Sequence, residues 1–400
     1  MSVQSADVIV IGAGAAGMMC AATAGQTGLK VLLLDHATKL AEKIRISGGG
    51  RCNFTNRRVT HENFVSKNPS FCRAALAGYS AQDFIDLVDS HGIAWHEKHR
   101  GQLFCDDSSE QIIGLLKRLC EAARVQWCMP CSVQAVAKTT SGFTLETSQG
   151  RLRCRQLVIA TGGTALPQVG ATDFGLRVAR QFGLKIVPTK PALVPLQFDP
   201  AVWQPFAELA GLSVQATIGV VGGRQTFSED VLFTHRGLSG PGVLQISSYW
   251  AAGESLKIDL TSGHALSRDL VARKPGSRQQ MATVLSEYLP KRLVDRWLGS
   301  RASSKLAEWS DKAIDELAGQ LQAWRLMPSG SAGYKKAEVM AGGVDTIELD
   351  QRSMMVKSVP GLYFIGEVVD MTGWLGGYNF QWAWSSAVAC GRAVPTLLSA

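Results

Sequence analysis

The sequence predicts an α/β protein: a Rossmann-like dinucleotide-binding domain interrupted by an inserted β-rich domain, which carries a small helical sub-domain. Three observations predict this. An apolar run at residues 7–11 passes straight into Gly12-Ala-Gly-Ala-Ala-Gly17, then into small helix-forming residues, then into a second apolar run at 31–34 that ends in Asp35. Two further glycine-rich strand ends, Thr161-Gly162-Gly163 and Gly366-Glu367, stand far down the chain, the second followed by a glycine-rich turn from Gly373 to Asn379. Between them, from about Pro191, the texture changes to short alternating strands and then to a polar, basic, helical stretch. The boundaries read as 1–190 with 338–400 for the dinucleotide domain, 191–262 with 325–337 for the β-rich insertion, and 263–324 for the helical one.

Each element has a local reason. Residues 7–11 are apolar throughout, as a strand buried on both faces requires. In the fingerprint that follows, Gly12 permits the tight turn and Gly14 lets backbone approach a pyrophosphate. Gly17 lets the helix pack on the strand, and Ala15 and Ala16 line its first turn. The helix N-terminus offers free N–H groups to phosphates, and Asp35 is placed to accept from a ribose hydroxyl. Residues 80–124 read as mainly helical. Residues 132–138, 143–148 and 151–154 read as short antiparallel strands, and 157–160 as a return to the main sheet. Thr172 and Asp173 cap a helix that closes near Gly183. In the insertion, 214–220 alternates and meets Gly222-Gly223, a hairpin turn. Residues 231–234 and 256–260 are further strands, and Ser239-Gly-Pro-Gly242 opens a helix with Pro in its first turn. Residues 265–323 read as polar, basic and largely helical, with Trp297, Trp309 and Trp324 as core anchors. Strand texture resumes at 337–344, the final buried strand is 362–365, and a last helix spans 380–397.

Composition narrows the class. In 400 residues, 46% are hydrophobic and 18% charged, which excludes intrinsic disorder. No uniformly apolar stretch is long enough for a membrane span. Residues 1–6 carry no Lys or Arg, so no signal peptide is expected; the expectation is a soluble cytoplasmic protein without a membrane partner. Nine cysteines are scattered, with one CxxC at Cys128 and Cys131, and they read as structural thiols without a metal. The net charge is +8. Residues 43–73 hold seven cations (Lys43, Arg45, Arg51, Arg57, Arg58, Lys67, Arg73) against Glu62. Residues 263–306 hold nine, from Arg268 to Lys305, against three acids, leaving the rest of the chain at −4. Two basic segments on an acidic body suggest a polyanion partner; they also read as ordinary solvated faces.

Three phosphate-side elements, at 12–17, 161–163 and 366–379, are more than a nicotinamide dehydrogenase needs. A split flavin domain that recloses with its last strand and helix needs all three. Thr161, Gly162, Gly163, Gly366 and Glu367 then face the pyrophosphate and ribityl region. Gly376, Gly377, Tyr378 and Asn379 bring the last helix N-terminus to the flavin pyrimidine edge. No second GxGxxG follows a strand, so FAD is the resident cofactor, with NADH or NADPH a transient reductant.

Four motifs carry a closer likeness: Ser47-Gly-Gly-Gly-Arg-Cys-Asn53, Leu232-Phe-Thr-His-Arg-Gly-Leu-Ser-Gly-Pro241, Gly361-Leu-Tyr-Phe-Ile-Gly-Glu367, and Thr372-Gly-Trp-Leu-Gly-Gly-Tyr-Asn-Phe-Gln-Trp-Ala-Trp-Ser-Ser386. Over nearly its whole length the chain resembles the two-dinucleotide-fold flavoproteins of the aminoacetone oxidase and bile-acid reductase type. His91-Gly-Ile-Ala-Trp-His-Glu-Lys98 and Gly101-Gln-Leu-Phe-Cys-Asp-Asp107 resemble its proteobacterial branch, which is similar to the FAD-dependent dihydrouridine synthase of large-subunit ribosomal RNA. The resemblance implies an FAD domain with a β-barrel-like insertion and a small helical insertion. It also implies that His36, Lys43 and Val133 join the cofactor site, and that ribosomal RNA is the partner of both basic segments.

The chemistry implied is reduction of a uracil C5=C6 bond, by hydride from flavin and a proton from a weak acid. In the 47–53 motif, the three glycines Gly48–Gly50 let backbone pass close to a flat or charged group, and Ser47, Gly48 and Gly49 are read as cofactor-binding. Arg51 suits a phosphate or the flavin, and Asn53 suits the ring; the stretch also reads as a tight loop without a ligand. Cys52 is the sharpest proton-donor candidate, with its pKa expected to be lowered by Arg51; it also reads as a packing cysteine. His235 and Cys105 are alternative donors. Arg236 to Gly242 offers a phosphate cradle or a capped helix. Trp374 and Tyr378 suit base stacking, whereas Trp382 and Trp384 read as core. The rival readings are a small-molecule enone reductase or amine oxidase, and a non-enzymatic RNA-binding flavoprotein.

Overall fold

The computed structural model of the chain describes residues 4–395. It divides into two compact units, one drawing on the chain up to Lys190 and from Val339 onward, the other Pro191–Glu338.

In the first unit the main sheet runs Gln126–Cys128, Val31–Leu34, Gln4–Ile11, Gly150–Ile159, then Gly142–Thr147 and Val133–Thr139. Val10 lies in register between Leu33 and Val158, and all three are fully buried. The residues expected as two strands, 151–154 and 157–160, form one continuous strand. Cys154 pairs antiparallel with Phe143, and Leu157 pairs parallel with Leu362 of the last strand, Leu362–Phe364. Burial of Gln156 is made tolerable by Tyr363, whose hydroxyl donates to Gln156 Oε1 at 2.7 Å.

Residues 80–124 depart further from expectation. Helices Ala81–Ser90 and Glu110–Ala122 form, but Trp95–Glu97 and Gln102–Cys105 between them are strands. These join Asn53–Asn56 in a three-stranded antiparallel sheet. The segment is too short and too aromatic for a third helix, and long-range pairing supplies its backbone partners.

The last helix, Tyr378–Ala393, lies against the fingerprint helix, Ala15–Gly25. A Cβ on Gly391 would sit 2.6 Å from Thr23 Cβ, so the small residues of both helices set their separation. Residues 396 and 397 of the expected helix fall outside the described ones. Its aromatic face is pinned: Trp384 stacks on Phe84 with ring centroids 4.4 Å apart and donates to Phe54 O at 2.9 Å.

The second unit holds a seven-stranded sheet, ordered Trp324–Leu326, Leu256–Asp259, Ser213–Val220, Thr226–Thr234, Gly237–Ser239, Leu196–Gln197, Gly330–Ser331. Its two edge strands are joined by only Met327, Pro328 and Ser329, so the sheet must curl until its edges nearly meet. Four helices, Leu266–Arg273, Met281–Leu285, Lys291–Leu298 and Asp311–Gln322, make the helical part. Trp324 packs between Phe206 and Phe233 (5.0 and 6.0 Å) and meets Trp297 edge-on at 5.4 Å. Trp309 is buried under the Arg301 guanidinium, 3.5 Å from the ring centre. Among the described residues, no helix is long and apolar enough to cross a membrane.

Trp384→Ala removes a fully enclosed side chain, its stacking partner and a buried hydrogen bond. We expect it to cost about 3–5 kcal/mol, read as a lower urea midpoint with unchanged cooperativity.

Candidate active site

The fingerprint glycines have three different constraints. Gly12 has φ 106°, and a Cβ there would lie 2.5 Å from Ala160 O. A Cβ on Gly17 would fall onto the Gly12 carbonyl oxygen, so this glycine brings the helix onto the turn. Around Gly14 nothing lies within 4 Å of the Cβ position: that space is open at the helix N-terminus, where a pyrophosphate belongs.

Asp35 follows the strand Val31–Leu34. Its carboxylate accepts from Ala13 N–H at 2.7 Å and from Ala37 N–H at 2.8 Å. Each oxygen keeps a second lone pair for a ribose hydroxyl. Cys131 N–H donates to Asp35 O at 2.7 Å, which carries the chain past Asp35 to half-buried Val133. His36 stands half exposed beside Asp35, Nδ1 to Oδ1 3.5 Å. At the next strand end the Thr161 hydroxyl is buried without a partner, Gly162 takes φ 69°, and a Cβ on Gly163 would lie 2.8 Å from Glu367 Oε1. Glu367 pairs with Lys43 Nζ at 2.9 Å and accepts from Met340 N–H at 2.9 Å. Gly366 is held from the last helix: its N–H donates to Ser386 Oγ (3.1 Å), and its carbonyl accepts from Trp382 Nε1 (3.0 Å).

The Ser47–Asn53 motif forms a left-handed loop. Gly48, Gly49 and Gly50 have φ of 57°, 67° and 86°, and Cys52 follows at 51°. It is clamped from behind. Ser109 N–H donates to Gly50 O at 2.7 Å, Cys105 N–H to Arg51 O at 3.0 Å, and Cys52 N–H to Ser47 O at 3.0 Å. A Cβ on Gly49 or Gly50 would meet nothing, and among the described residues exposed Arg51 forms no ion pair. Asn53 lies across from Phe104 in the three-stranded sheet.

One expectation about the proton donors needs correction, the lowered pKa of Cys52. Cys52 is 0% exposed. Burial pushes its thiol far above the ordinary range, with nearby Cys105 adding to the rise and a Ser47 hydrogen bond only partly opposing it. The Arg51 guanidinium sits in solvent, where water screens it, so desolvation wins. Cys105 is likewise enclosed, its thiol pushed up to about 12 by burial and Asp106. Both thiols therefore stay protonated at neutral pH, and neither sulfur reaches an open surface in this structure. His235 and Arg236 form the exposed tip of the Thr226–Thr234 to Gly237–Ser239 hairpin in the second unit. The helix after it, Pro241–Ser247, has only seven residues, which weakens it as a phosphate cradle.

At the last turn, Gly376 and Gly377 have φ of 117° and 93°, and a Cβ on Gly377 would fall onto the Thr55 carbonyl. These glycines are required by packing on the three-stranded sheet. Asn379 braces the turn, accepting from Gly373 N–H at 2.8 Å and donating to Gly373 O at 2.9 Å. Its amide is thereby engaged, which leaves its backbone for a ligand. Trp374 and Tyr378 are half-buried and meet edge-on at 6.2 Å, whereas Trp382 and Trp384 are core. Sequence reasoning passed over two buried amides here. Asn56 Nδ2 donates to Gly376 O (3.0 Å) and Arg100 O (3.1 Å). Gln381 joins Thr55 Oγ1 (2.7 Å) to Tyr79 O (3.1 Å). Polar residues in otherwise apolar elements were the signal.

The basic segments also look different once folded. In the first, Lys43, Arg45, Arg57 and Lys67 pair with Glu367, Glu42 and Glu110, Glu97, and Asp345, all outside the window counted from sequence. Arg51 and Arg58 keep their charges exposed. In the second, Arg273 forks onto Glu287 and Lys274 meets Asp311. Among the described residues, Arg278 and Lys291 form no ion pair, and Lys305 meets Glu308 through its backbone N–H at 3.1 Å.

An open helix N-terminus, a carboxylate with spare acceptor capacity, an orphaned Thr161 hydroxyl and a reclosing last strand fit FAD. They define a dinucleotide-dependent oxidoreductase. Residues 6–393 match the family described as HI0933-like protein Rossmann domain, and the chain belongs to it as an FAD-dependent enzyme. It is 50% identical over 389 residues to the ribosomal RNA dihydrouridine synthase of Escherichia coli, covering 96% of this chain and 97% of that one. It is 43% identical to the enzyme of the same name from Haemophilus influenzae, over 98% and 99% of the two chains. It is 28% identical to the 3-dehydro-bile acid delta(4,6)-reductase of Clostridium scindens, over 96% and 98%.

Gly14→Val should separate cofactor from fold. Open space at its Cβ and an extended backbone predict a melting temperature of the flavin-free protein close to wild type, with flavin absorbance lost on purification. Gly17→Val, by contrast, should fail to fold. The buried thiols give a pH test. Cys105 and Cys154, each pushed up to about 12 by burial from 9.0, bind protons more tightly folded than unfolded. Their contribution to stability is complete below pH 9 and is lost as pH rises toward 12. Unfolding midpoints measured across pH 8–11 should fall accordingly.

Proposed function

We propose that this chain reduces a specific uridine of large-subunit ribosomal RNA to dihydrouridine, with NADH or NADPH as electron source. The observation that carries the reading is the 50% identity, end to end, with a protein of that name. The balance is one uridine, one NAD(P)H and one proton giving dihydrouridine and NAD(P)⁺. When bound, FAD supplies the hydride equivalent for carbon 6.

The remaining work falls to the chain. Residues 12–17, Asp35, Thr161–Gly163 and Glu367 hold the cofactor; Lys43 fixes the Glu367 carboxylate. The Gly48–Gly50 loop, backed by Ser109 and Cys105, borders the reacting end. Trp374 and Tyr378 offer aromatic faces to a base taken out of its stack. The proton for carbon 5 is assigned to Cys52. Burial keeps it protonated, the state a donor needs, and because the sulfur is enclosed, the assignment requires the loop clamped by Ser109 and Cys105 to open when substrate docks. Arg51, Arg58, Arg278, Lys291 and Lys305 are the cations with charge to spare for RNA phosphates.

The test is dihydrouridine content of ribosomal RNA, by mass spectrometry, in cells with and without the gene. Loss on deletion and return with a plasmid copy is the expected result; an unchanged level overturns the reading. A Cys52→Ala copy should then restore less than about 1% of the rate, while Cys105→Ala restores most of it. The 28% relative named for a bile-acid reduction favours one second reading, a small-molecule alkene reductase. Turnover of an enone with NAD(P)H and no change in ribosomal RNA would select it.

A further inference from the structure

The strand pair that sequence reasoning missed carries a surface of its own. Trp95–Glu97 and Gln102–Cys105 are joined by the turn His99–Gly101, which presents exposed Lys98, His99 and Arg100. The turn is rigid. Lys98 N–H donates to Gln102 O (2.9 Å), and Arg57 N–H donates to Gly101 O (2.8 Å). Asn56 Nδ2 ties Arg100 O to Gly376 O (3.1 and 3.0 Å), so the turn is fixed against the glycine-rich turn before the last helix. Arg57 and exposed Arg58 lie on the neighbouring chain. Glu97, the acid within residues 95–101, is already taken by Arg57 at 2.9 Å. Rings alternate with the cations: the Arg57 guanidinium lies 5.0 Å over Trp95, and Lys98 Nζ lies 5.5 Å from the Phe104 centre. Among the described residues, Arg58 and Lys98 form no ion pair.

Exposed cations on a fixed turn, Lys98 braced on the buried Phe104 ring and Arg57 on the half-buried Trp95 ring, suit the phosphates of a single nucleic-acid strand. A base must leave its stack to be reduced, so its flanking nucleotides are unpaired at that moment. We propose that the Lys98–Gly101 turn, with Arg58, is the docking surface for the single-stranded RNA flanking the reduced uridine. This rests on the ribosomal RNA reading above and places the grip outside both segments that the charge count singled out, save Arg58.

The test compares the flavin-loaded wild type, Arg58→Gln/Lys98→Gln, and Lys30→Gln/Lys117→Gln, an equal charge loss at exposed positions elsewhere in the same unit. The probe is a fluorescent oligouridine, titrated at several salt concentrations. For Arg58→Gln/Lys98→Gln we expect roughly tenfold weaker binding and a log–log salt slope shallower by about 1.4, as for two lost contacts to a single strand. Melting temperature and bound-flavin absorbance should match the wild type, which reports an intact fold. Wild-type binding and slope in that variant, or an equal loss in Lys30→Gln/Lys117→Gln, overturns the surface while leaving the ribosomal RNA reading intact. A wild type that neither binds oligouridine nor forms dihydrouridine in ribosomal RNA overturns both.

Discussion

The first unit depends on one close approach: the fingerprint helix touching the turn that launches it. With no side chain at Gly17, the helix backbone rests on the Gly12 carbonyl, and Gly12 in turn rests on Ala160. Three segments of chain are thereby held at van der Waals distance at the carboxyl ends of adjacent strands. The helix N-terminus, the Asp35 carboxylate and the Thr161 turn converge because that contact leaves them nowhere else to go.

The last helix does for the turns packed against it what Gly17 does for the fingerprint turn. Trp382 and Ser386 hold the two backbone polar groups of Gly366, Trp384 holds Phe54 O, and Gln381 joins Thr55 to Tyr79. Each bond would leave a buried polar group unsatisfied if broken, which is why a helix this apolar tolerates so many polar atoms. The same helix orders the Gly366 turn, the Asn53–Asn56 strand and, through Asn56 and Gly376, the basic turn beyond it.

Much of this was legible in the sequence, and the divide is physical. The fingerprint was readable because its constraints are local: a turn, an approach and a packing contact within six residues. The split flavin domain was readable because three separated glycine-rich strand ends need a common ligand. What lay hidden depended on distant partners. Nothing near Cys52 announces that Ser109 and Cys105, more than fifty residues on, close over its loop and remove it from solvent. Arg51, adjacent in sequence, pointed the wrong way. Charge counts in a window were accurate as counts, yet Glu97, Glu110 and Glu367 reach the window's cations only through the fold. The 95–105 strands were hidden because their pairing partner is Asn53–Asn56, not a neighbour along the chain.

The sheet of the first unit has a consequence for how the protein is made. Its central strand, Gly150–Ile159, waits for Leu362–Phe364 while some two hundred residues are synthesised, including the whole of Pro191–Glu338. A chain emerging from the ribosome can complete the second unit before the first has its last strand. Until then it exposes the apolar edge beside Ile159 and lacks Lys43's partner, Glu367. Competence to retain cofactor therefore arrives late and all at once, and a prematurely terminated product would be a sheet with an open, aggregation-prone side.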